Sequence, residues 1–543
     1  MSKEGQQITV NSTPPQLNAP IDVRFKDFQI ETFTRLVSID SLLAGGRVNG
    51  IANLRNLNTN AVFTADLTID DFSFHGDTVG NVAMKVNNET ANTYAADIRL
   101  SGDGNDVKII GSYFDDGTKN LYDLDINIVT LNMKSIEGFT MGELDDASGT
   151  LTGNLKMKGT LAEPSIRGDI HFRDVGLRIT RFNSIYKATD EKIRFTEEGV
   201  AFNNFTLEDS LGNVAVINGR VMTKDYKDYR FDLDVRSEDF QVMNSTRENN
   251  KLYFGQLFVD MDINLHGGMN APVVDGSIKV NEKTKLTIVI PQEDPGLVER
   301  EGIVEFIDQD TFKFTFLATA KDSLKEVEFK GVDVAVNIDI DKEAELTLII
   351  DEANGDFLNV KGVGNLSGGI DNSGKVTLTG IYELEEGTYR FSFNQIKREF
   401  KISKGSTISW KGEPLRADVN VSAVYIANTA PLTLVQSQLA DAEQNVINTY
   451  KQRLPFEVKL NMTGELLKPQ VAFDIDLPEG NYGVSADVTS TVQAKLVELR
   501  TEPSELNKQV FAVLILNRFI AENPFQGGGR EGGISSLARQ SAS

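Results

Sequence analysis

Apolar residues fall at every second position through most of this chain. Leu151, Gly153, Leu155 and Met157 alternate with Thr152, Asn154, Lys156 and Lys158. Tyr122, Leu124, Ile126 and Ile128 alternate with Asp123, Asp125 and Asn127, and Phe231, Leu233 and Val235 with Asp232 and Asp234. Val259, Met261, Ile263 and Leu265 oppose Asp260, Asp262, Asn264 and His266. The longest run sets Val334, Val336, Ile338 and Ile340 against Ala335, Asn337, Asp339 and Asp341. Successive side chains of a strand point to opposite faces, so each segment predicts a strand with one apolar and one wet face. Such strands form antiparallel meanders, not buried parallel sheets. Asp115-Asp116-Gly117, Asn372-Ser373-Gly374 and Glu385-Glu386-Gly387 predict hairpin connections between them. The stretch 101–106 (Ser101 to Asp106) reads as another turn, because it lacks the spacing and distal glutamate of a calcium loop.

A weak repeat overlies this alternation. A glycine is followed five residues later by a proline, and alternation then resumes: Gly159 and Pro164, Gly267 and Pro272, Gly464 and Pro469. Proline can start a strand where no ladder donor is needed. The repeat predicts a β-architecture growing along one axis. Three stretches break the pattern. Thr34 to Leu43 predicts a short helix or turn, and Pro431 to Leu454 a loop with a helix. Thr491 to Phe519 predicts helices broken at Pro503, with Ser504 capping the second and Val510 to Leu516 as its apolar part. Gln526 to Gly533 reads as a flexible linker.

Composition narrows the function. At 543 residues, with 40% hydrophobic and 25% charged residues and only 14 prolines, the chain is folded and larger than one ordinary core. A net charge of −24 repels phosphate, which disfavours nucleic acid and, without a local patch, anionic membrane surfaces. The absence of cysteine excludes disulfides and thiolate metal sites. The longest unbroken apolar run, Val510 to Leu516, is far short of the roughly 20 residues a spanning helix needs. The first residues are polar, with no signal-peptide core. His75, His171 and His266 each stand alone, and no phosphate loop, dinucleotide fingerprint or nucleophile elbow is present. The acidic residues fall on wet strand faces. No catalytic residue, metal ligand or cofactor is therefore expected. What remains is the apolar stripe. Two sheets can close it as a sandwich, or one sheet can curl into a trough; alternation alone does not separate these. Roughly 35 strands at about 4.8 Å would make a rod on the order of 170 Å long, which suits a bridge.

The C-terminal third adds a more specific signal. Leu384, Gly387, Tyr389 and Phe391 precede Phe400, Ile402, Gly405, Ile408 and the run Trp410, Gly412, Glu413, Pro414, Leu415. Then come Val419, Val421 and Tyr425, next Phe456, Val458, Leu460, Gly464, Leu466, Pro469, Phe473 and Ile475, and last a helix ending Val513, Leu516, Arg518. This order resembles the C-terminal domain of the TamB family (translocation and assembly module), in the form carried by Bacteroidetes, most closely over 380–520. The resemblance implies an all-β fold: an elongated antiparallel β-groove, taco-like in section, of many stacked strands with a few short helices near the C-terminus. The implied boundaries are a repeated groove over 1–380, a C-terminal β-region over 381–490 with an insertion at 431–454, helices over 491–520 and a flexible tail over 521–543.

The same resemblance implies a non-enzymatic periplasmic bridge between inner and outer membrane. It would carry phospholipid along the groove and act with a TamA-like outer-membrane barrel of the BamA superfamily. The groove wall would comprise Leu155, Met157, Phe231, Leu233, Val235, Met261, Ile263, Leu265, Val334, Val336, Ile338, Ile340, Val458, Leu460, Val471, Phe473 and Ile475. Trp410, Gly412, Glu413, Pro414, Phe511, Leu514 and Leu516 would face the barrel. The family's N-terminal inner-membrane anchor has no counterpart here, and relatives continue with further strands, so a fragment of a longer envelope protein is expected. A scaffold for outer-membrane protein assembly by strand augmentation is the alternative. A surface adhesin or filament with a filled core is a third reading.

Overall fold

The computed structural model describes residues 2–3, 5–12, 19–32, 44–56, 62–90, 92–115, 120–140, 142–160, 162–290, 331–352, 354–393 and 396–521. Its strands join one sheet of 27. The first run is β1 (Ser2–Lys3), β2 (Gln6–Ser12), β3 (Ile21–Gln29), β4 (Ala44–Arg55), β5 (Val62–Phe74), β6 (Asp77–Thr90), β7 (Thr93–Gly102), β8 (Asn105–Asp115) and β9 (Asn120–Asn132). The middle run is β10 (Leu144–Gly159), β11 (Pro164–Ile179), β12 (Ser184–Thr196), β13 (Gly199–Glu208), β14 (Val214–Thr223), β15 (Tyr229–Ser245), β16 (Tyr253–Gly268), β17 (Ala271–Val280) and β18 (Lys285–Val289). The last run is β19 (Asp333–Ile340), β20 (Glu345–Asp351), β21 (Asp356–Ile370), β22 (Val376–Phe393), β23 (Ile396–Ile402), β24 (Ser406–Gly412), β25 (Asp418–Thr429), β26 (Leu454–Glu465) and β27 (Gln470–Asp476). The helices are α1 (Gln444–Thr449), α2 (Ala486–Arg500) and α3 (Pro503–Leu516).

From β1 to β16 each strand pairs antiparallel with the next. Beyond β16, single rungs are split into two short strands. β16 pairs with both β17 and β18, β21 with both β19 and β20, and β22 with both β23 and β24. The pairs β17–β19 and β18–β20 are parallel. The three Gly-to-Pro repeats all lie at hairpin ends. Gly159 faces Pro164 and Gly267 faces Pro272 across their ladders, with φ of 112° and 95°. Gly464, at 92°, lies one residue before the end of β26, just past the last β26–β27 pair of Thr463 with Gln470.

The sheet is folded lengthwise, and aspartate or asparagine makes the fold line. Asp27, Asp71, Asp146, Asp174, Asn204 and Asp239 all lie inside strands with φ between 46° and 54°. Short polar side chains tolerate this left-handed conformation better than others. Register shifts mark the bulges in β3, β5, β10, β13 and β15, and a bulge bends its strand. A freed amide needs a partner. Asp27 N–H donates to Asn49 Oδ1 at 2.7 Å, Asp71 to Asn81 at 3.0 Å, Asn204 to Asn218 at 2.7 Å and Asp239 to Asp260 Oδ1 at 2.8 Å. The residue after each is apolar, and Phe28, Ala147, Val175, Phe205 and Phe240 are buried. Two walls therefore meet at an apolar apex.

One wall is continuous; the other is interrupted at two short hairpins. Beside β7 and β8 the gap is filled by a 3₁₀ segment, Met133–Thr140. It is held by Asn105, whose Nδ2 donates to Val79 O and Ser135 Oγ at 2.7 and 2.8 Å. Beside β13 and β14 the flanking strands meet directly. Tyr186 stacks on Phe240 with centroids 5.4 Å apart, and its hydroxyl donates to Val242 O at 2.8 Å.

The structure corrects three expectations. Glu385-Glu386-Gly387 is no turn: it lies inside β22, where a register shift opposite Lys361 and Gly362 bends the strand between the two walls. Ser504 caps nothing, because α3 starts one residue earlier with Pro503 in its first turn and Glu502 at the cap position. The preceding helix begins at Ala486, before Thr491. The described residues alone supply 27 strands, against roughly 35 expected for the whole chain. The expectations for Thr34 to Leu43, for Asp116-Gly117 and for Gln526 to Gly533 lie outside the described residues.

Candidate functional site: an apolar trough with a closed end

Strand register assembles the alternating residues into rows running along the sheet. One row passes through Phe25, Gly50, Leu67, Met84, Ile98, Ile109, Ile126, Leu155, Gly168, Phe195, Val200, Val221 and Phe231. A second, nearer the apex, links Phe28, Val48, Ile69, Val82, Leu100, Val107, Ile128, Gly153, Ile170, Ile193, Phe202, Gly219, Leu233, Leu265, Val274 and Val334. No polar residue interrupts either row. At 4.8 Å per rung, the second row extends on the order of 70 Å. Glycine recurs where a Cβ would strike the neighbouring strand. At Gly168 and Gly276 it would meet the carbonyls of Asn154 and Asp262, and φ is 136° and 145°.

Most residues of the rows are half-buried; Phe28, Val107 and Ile170 of the row nearer the apex are buried. Phe231, Leu233, Val235, Met261, Ile263, Leu265, Val334, Val336, Ile338 and Ile340 all keep intermediate exposure, as do Leu155 and Met157. A second sheet packed on this face would bury them, as the inner faces of a sandwich are buried. Between residues 133 and 261 the buried apolar clusters are small and follow the apex, around Val175 and Phe205 and around Tyr186 and Phe240.

The C-terminal end is the opposite case. One buried cluster runs from Leu348 to Phe519 and includes Tyr382, Phe400, Ile408, Phe456, Val492 and Val510. The sheet curls until β27 faces β22, with Phe391 and Phe473 ring centroids 6.4 Å apart. Helix α3 and the residues after it close the remaining side. Leu506, Val510, Val513, Leu514 and Phe519 are all at most 8% exposed. At roughly 1.5–3 kcal/mol for each buried side chain, detaching this segment costs on the order of 10 kcal/mol. Polar anchors add to it: Arg398 donates to Leu514 O at 2.7 Å and Thr429 to Asn517 O at 3.0 Å. Burial pushes the Tyr382 phenol up to about 12.

A family model, the TamB C-terminal domain, matches residues 203–543. The chain belongs to the TamB family. The match starts well upstream of the motifs at 380–520 that carry the resemblance, and takes in the open trough from β13 onward as well as the closed end. Among curated proteins and solved structures, none matches. The TamB family is one of non-catalytic transport and assembly proteins of the cell envelope. Among the described residues no helix is long and apolar enough to cross a membrane.

Within this TamB domain the expected groove residues divide. Those of β10, β15, β16 and β19 share the half-buried inner face. Val458, Leu460 and Ile475 do not: at 0%, 1% and 0% exposure they are interior to the closed end and offer no surface to a ligand. Phe473 is half-buried against Phe511, and Val471 is exposed at the rim. Of the residues expected to face a partner, Leu514 is sealed in the core at 3% exposure and Phe511 packs inward on Phe473. Leu516 and Glu413 remain exposed. Trp410 is half-buried, with Nε1–H donating to Pro414 O at 3.0 Å. Alternation missed the fold line. Its signal is a polar residue, then Asp or Asn, then an apolar residue, breaking the period of a strand: Lys26-Asp27-Phe28, Asp70-Asp71-Phe72, Asn203-Asn204-Phe205, Glu238-Asp239-Phe240.

Proposed function

We propose that this TamB-family chain is the trough-bearing part of a periplasmic bridge that carries phospholipid between the inner and outer membranes. It acts with a TamA-like barrel of the BamA superfamily, in an envelope of the Bacteroidetes type. One observation supports this above others: two uninterrupted apolar rows run along the folded sheet, and most of their residues stay half-buried. Acyl chains lying on them would complete the burial, each methylene contributing roughly 0.8 kcal/mol, while headgroups stay at the open mouth. The outer face, with pairs such as Arg236 and Asp262 or Lys156 and Asp125, keeps the structure hydrated. No residue performs chemistry, so transport follows a gradient or an external drive. In this reading Trp410, Gly412, Glu413, Pro414 and Leu516 lie at the outer-membrane end, where the barrel sits in its bilayer.

Lipid mass spectrometry of the purified protein tests the reading. Phospholipid should co-purify with the native chain and be lost from the Leu233→Asp, Ile338→Asp double variant, with an unchanged far-ultraviolet circular dichroism spectrum. A native protein free of lipid, purified in mild conditions, would sink it.

A further inference from the structure

We infer that the trough is blind-ended: acyl chains leave it sideways, over a rim formed by Trp410, Leu415, Leu467 and Val471, and that rim seats on a bilayer surface. The inference rests on the reading of the trough as a lipid channel. Three rows reach β22 and β24, and they end differently. The row through Val336, Gly368 and Leu378 ends at Gly412, and the row through Ile338, Leu366 and Gly380 ends at Trp410. The row nearest the apex, through Ile340, Gly364 and Tyr382, enters Ile408 and Val419, which are 0% and 6% exposed. Leu366 of the middle row is buried as well, at 8%, so the way forward is closed by solid core and the way outward follows the half-buried outer row to Gly412, beside Trp410.

What lies beyond Trp410 is exposed and apolar. Leu415, Leu467 and Val471 are 48%, 45% and 49% exposed. The Leu466 amide donates to Ala417 O at 2.8 Å, which sets the β26–β27 turn beside the loop that carries Leu415. Val471 faces Met462 in the next rung. Tryptophan, with an apolar body and a polar N–H, suits a membrane–water boundary. The occupant of this rim is a lipid surface, since the same apolar rows that hold acyl chains run into it. Lys411, Arg416 and Lys468 stand around the rim, and Lys411 and Arg416 are paired with Asp418 and Glu413.

The chain has one tryptophan and no cysteine, so both halves can be read without background. Vesicles of phosphatidylethanolamine and phosphatidylglycerol should shift Trp410 emission to the blue, and brominated acyl chains should quench it. No shift and no quenching overturns the seating of the rim. In a vesicle-to-vesicle transfer assay with a fluorescent phospholipid, the Leu415→Glu, Leu467→Glu variant should transfer at least tenfold more slowly while still co-purifying with lipid. A Thr429→Cys, Asn517→Cys pair, oxidised to tether the end of α3 to β25, should transfer at the native rate. A tether that stops transfer with lipid still loaded means that the closed end opens, and overturns the blind end. If rim variants transfer normally while lipid still loads, the exit alone is wrong. If no lipid loads in the native chain, the channel reading itself fails.

Discussion

Leu233 and Leu460 occupy equivalent positions in alternating strands, yet the structure assigns them different surroundings. Leu460 is 1% exposed inside the closed end, and Leu233 is half-buried on the open inner face. Truncating a buried leucine to alanine costs about 2–5 kcal/mol, because lost transfer energy adds to the cavity left behind. At Leu233 one side already faces the open trough, so no closed cavity forms, and the cost falls to about 1 kcal/mol of lost contact. Global unfolding is a poor measure in a long sheet whose rungs touch only their neighbours, since such chains unfold in parts. Hydrogen exchange read by mass spectrometry on the intact chain resolves the two sites. Leu460→Ala should accelerate exchange of the β26 amides by about a hundredfold, at 1.4 kcal/mol for each factor of ten. Leu233→Ala should accelerate β15 by less than about tenfold. Phospholipid should then protect β15 and leave β26 unchanged, since a ligand stabilises only what it binds. Equal acceleration in both strands would refute the division into open trough and closed end.

Other positions give narrower tests. Asp209, buried at the end of the β13–β14 hairpin, accepts hydrogen bonds from the amides of Leu211, Asn213 and Gln241 at 2.8, 2.9 and 2.8 Å. Asp209→Ala should destabilise β13 to β15 by about 2–4 kcal/mol, measured by local exchange. Burial raises the pKa of Asp209, but bonds from Asn213, Gln241 and Leu211 outweigh this and hold it below the ordinary value. Its contribution is thus complete above about pH 4 and is lost as pH falls through the depressed value. Tyr186, pushed up to about 12 by burial, should ionise late in a spectrophotometric titration. The stability it contributes is full below about pH 10 and fades as pH rises toward 12. Tyr186→Phe should remove that dependence. Gly276→Val, with a Cβ forced against the Asp262 carbonyl at φ 145°, should disrupt pairing of β16 and β17, seen as lost exchange protection there.

Much of the fold was legible because alternation states which side of a strand is apolar, and register follows once that side must be shared. Leu233, Leu265, Val274 and Val334 fall into one row for this reason. The Gly-to-Pro repeats likewise mark hairpin ends, since each glycine takes a positive φ that other residues avoid. The misreading at Glu385-Glu386-Gly387 has a physical cause. A bulge inside a strand and a turn between strands both call for polar residues and glycine, and only the partner strand tells them apart. β21 runs on past Lys361 and Gly362, so β22 bends there and continues.

The candidate site was half legible for a related reason. Alternation records that Val458 and Leu233 each turn away from water at one face, and it does not record what stands opposite. Beside Val458 stand Tyr425 and Ile475 in the neighbouring rungs, and its face belongs to one buried cluster with the apolar side of α3, a curled sheet and a helix supplied by residues up to Phe519. Opposite Leu233 there is the mouth of a trough. The difference is decided by how far the sheet curls. Its fold line is set by the left-handed Asp27, Asp71, Asn204 and Asp239, none of which belongs to the apolar pattern. The residues that shape the trough are therefore polar and on its outside; if the trough holds lipid as proposed, replacing Asp239 with valine should widen or slip the fold and reduce lipid load without altering the apolar rows. Native lipid load in Asp239→Val, by mass spectrometry, would show that the bend is held by the apolar apex at Phe240 and Val259 instead.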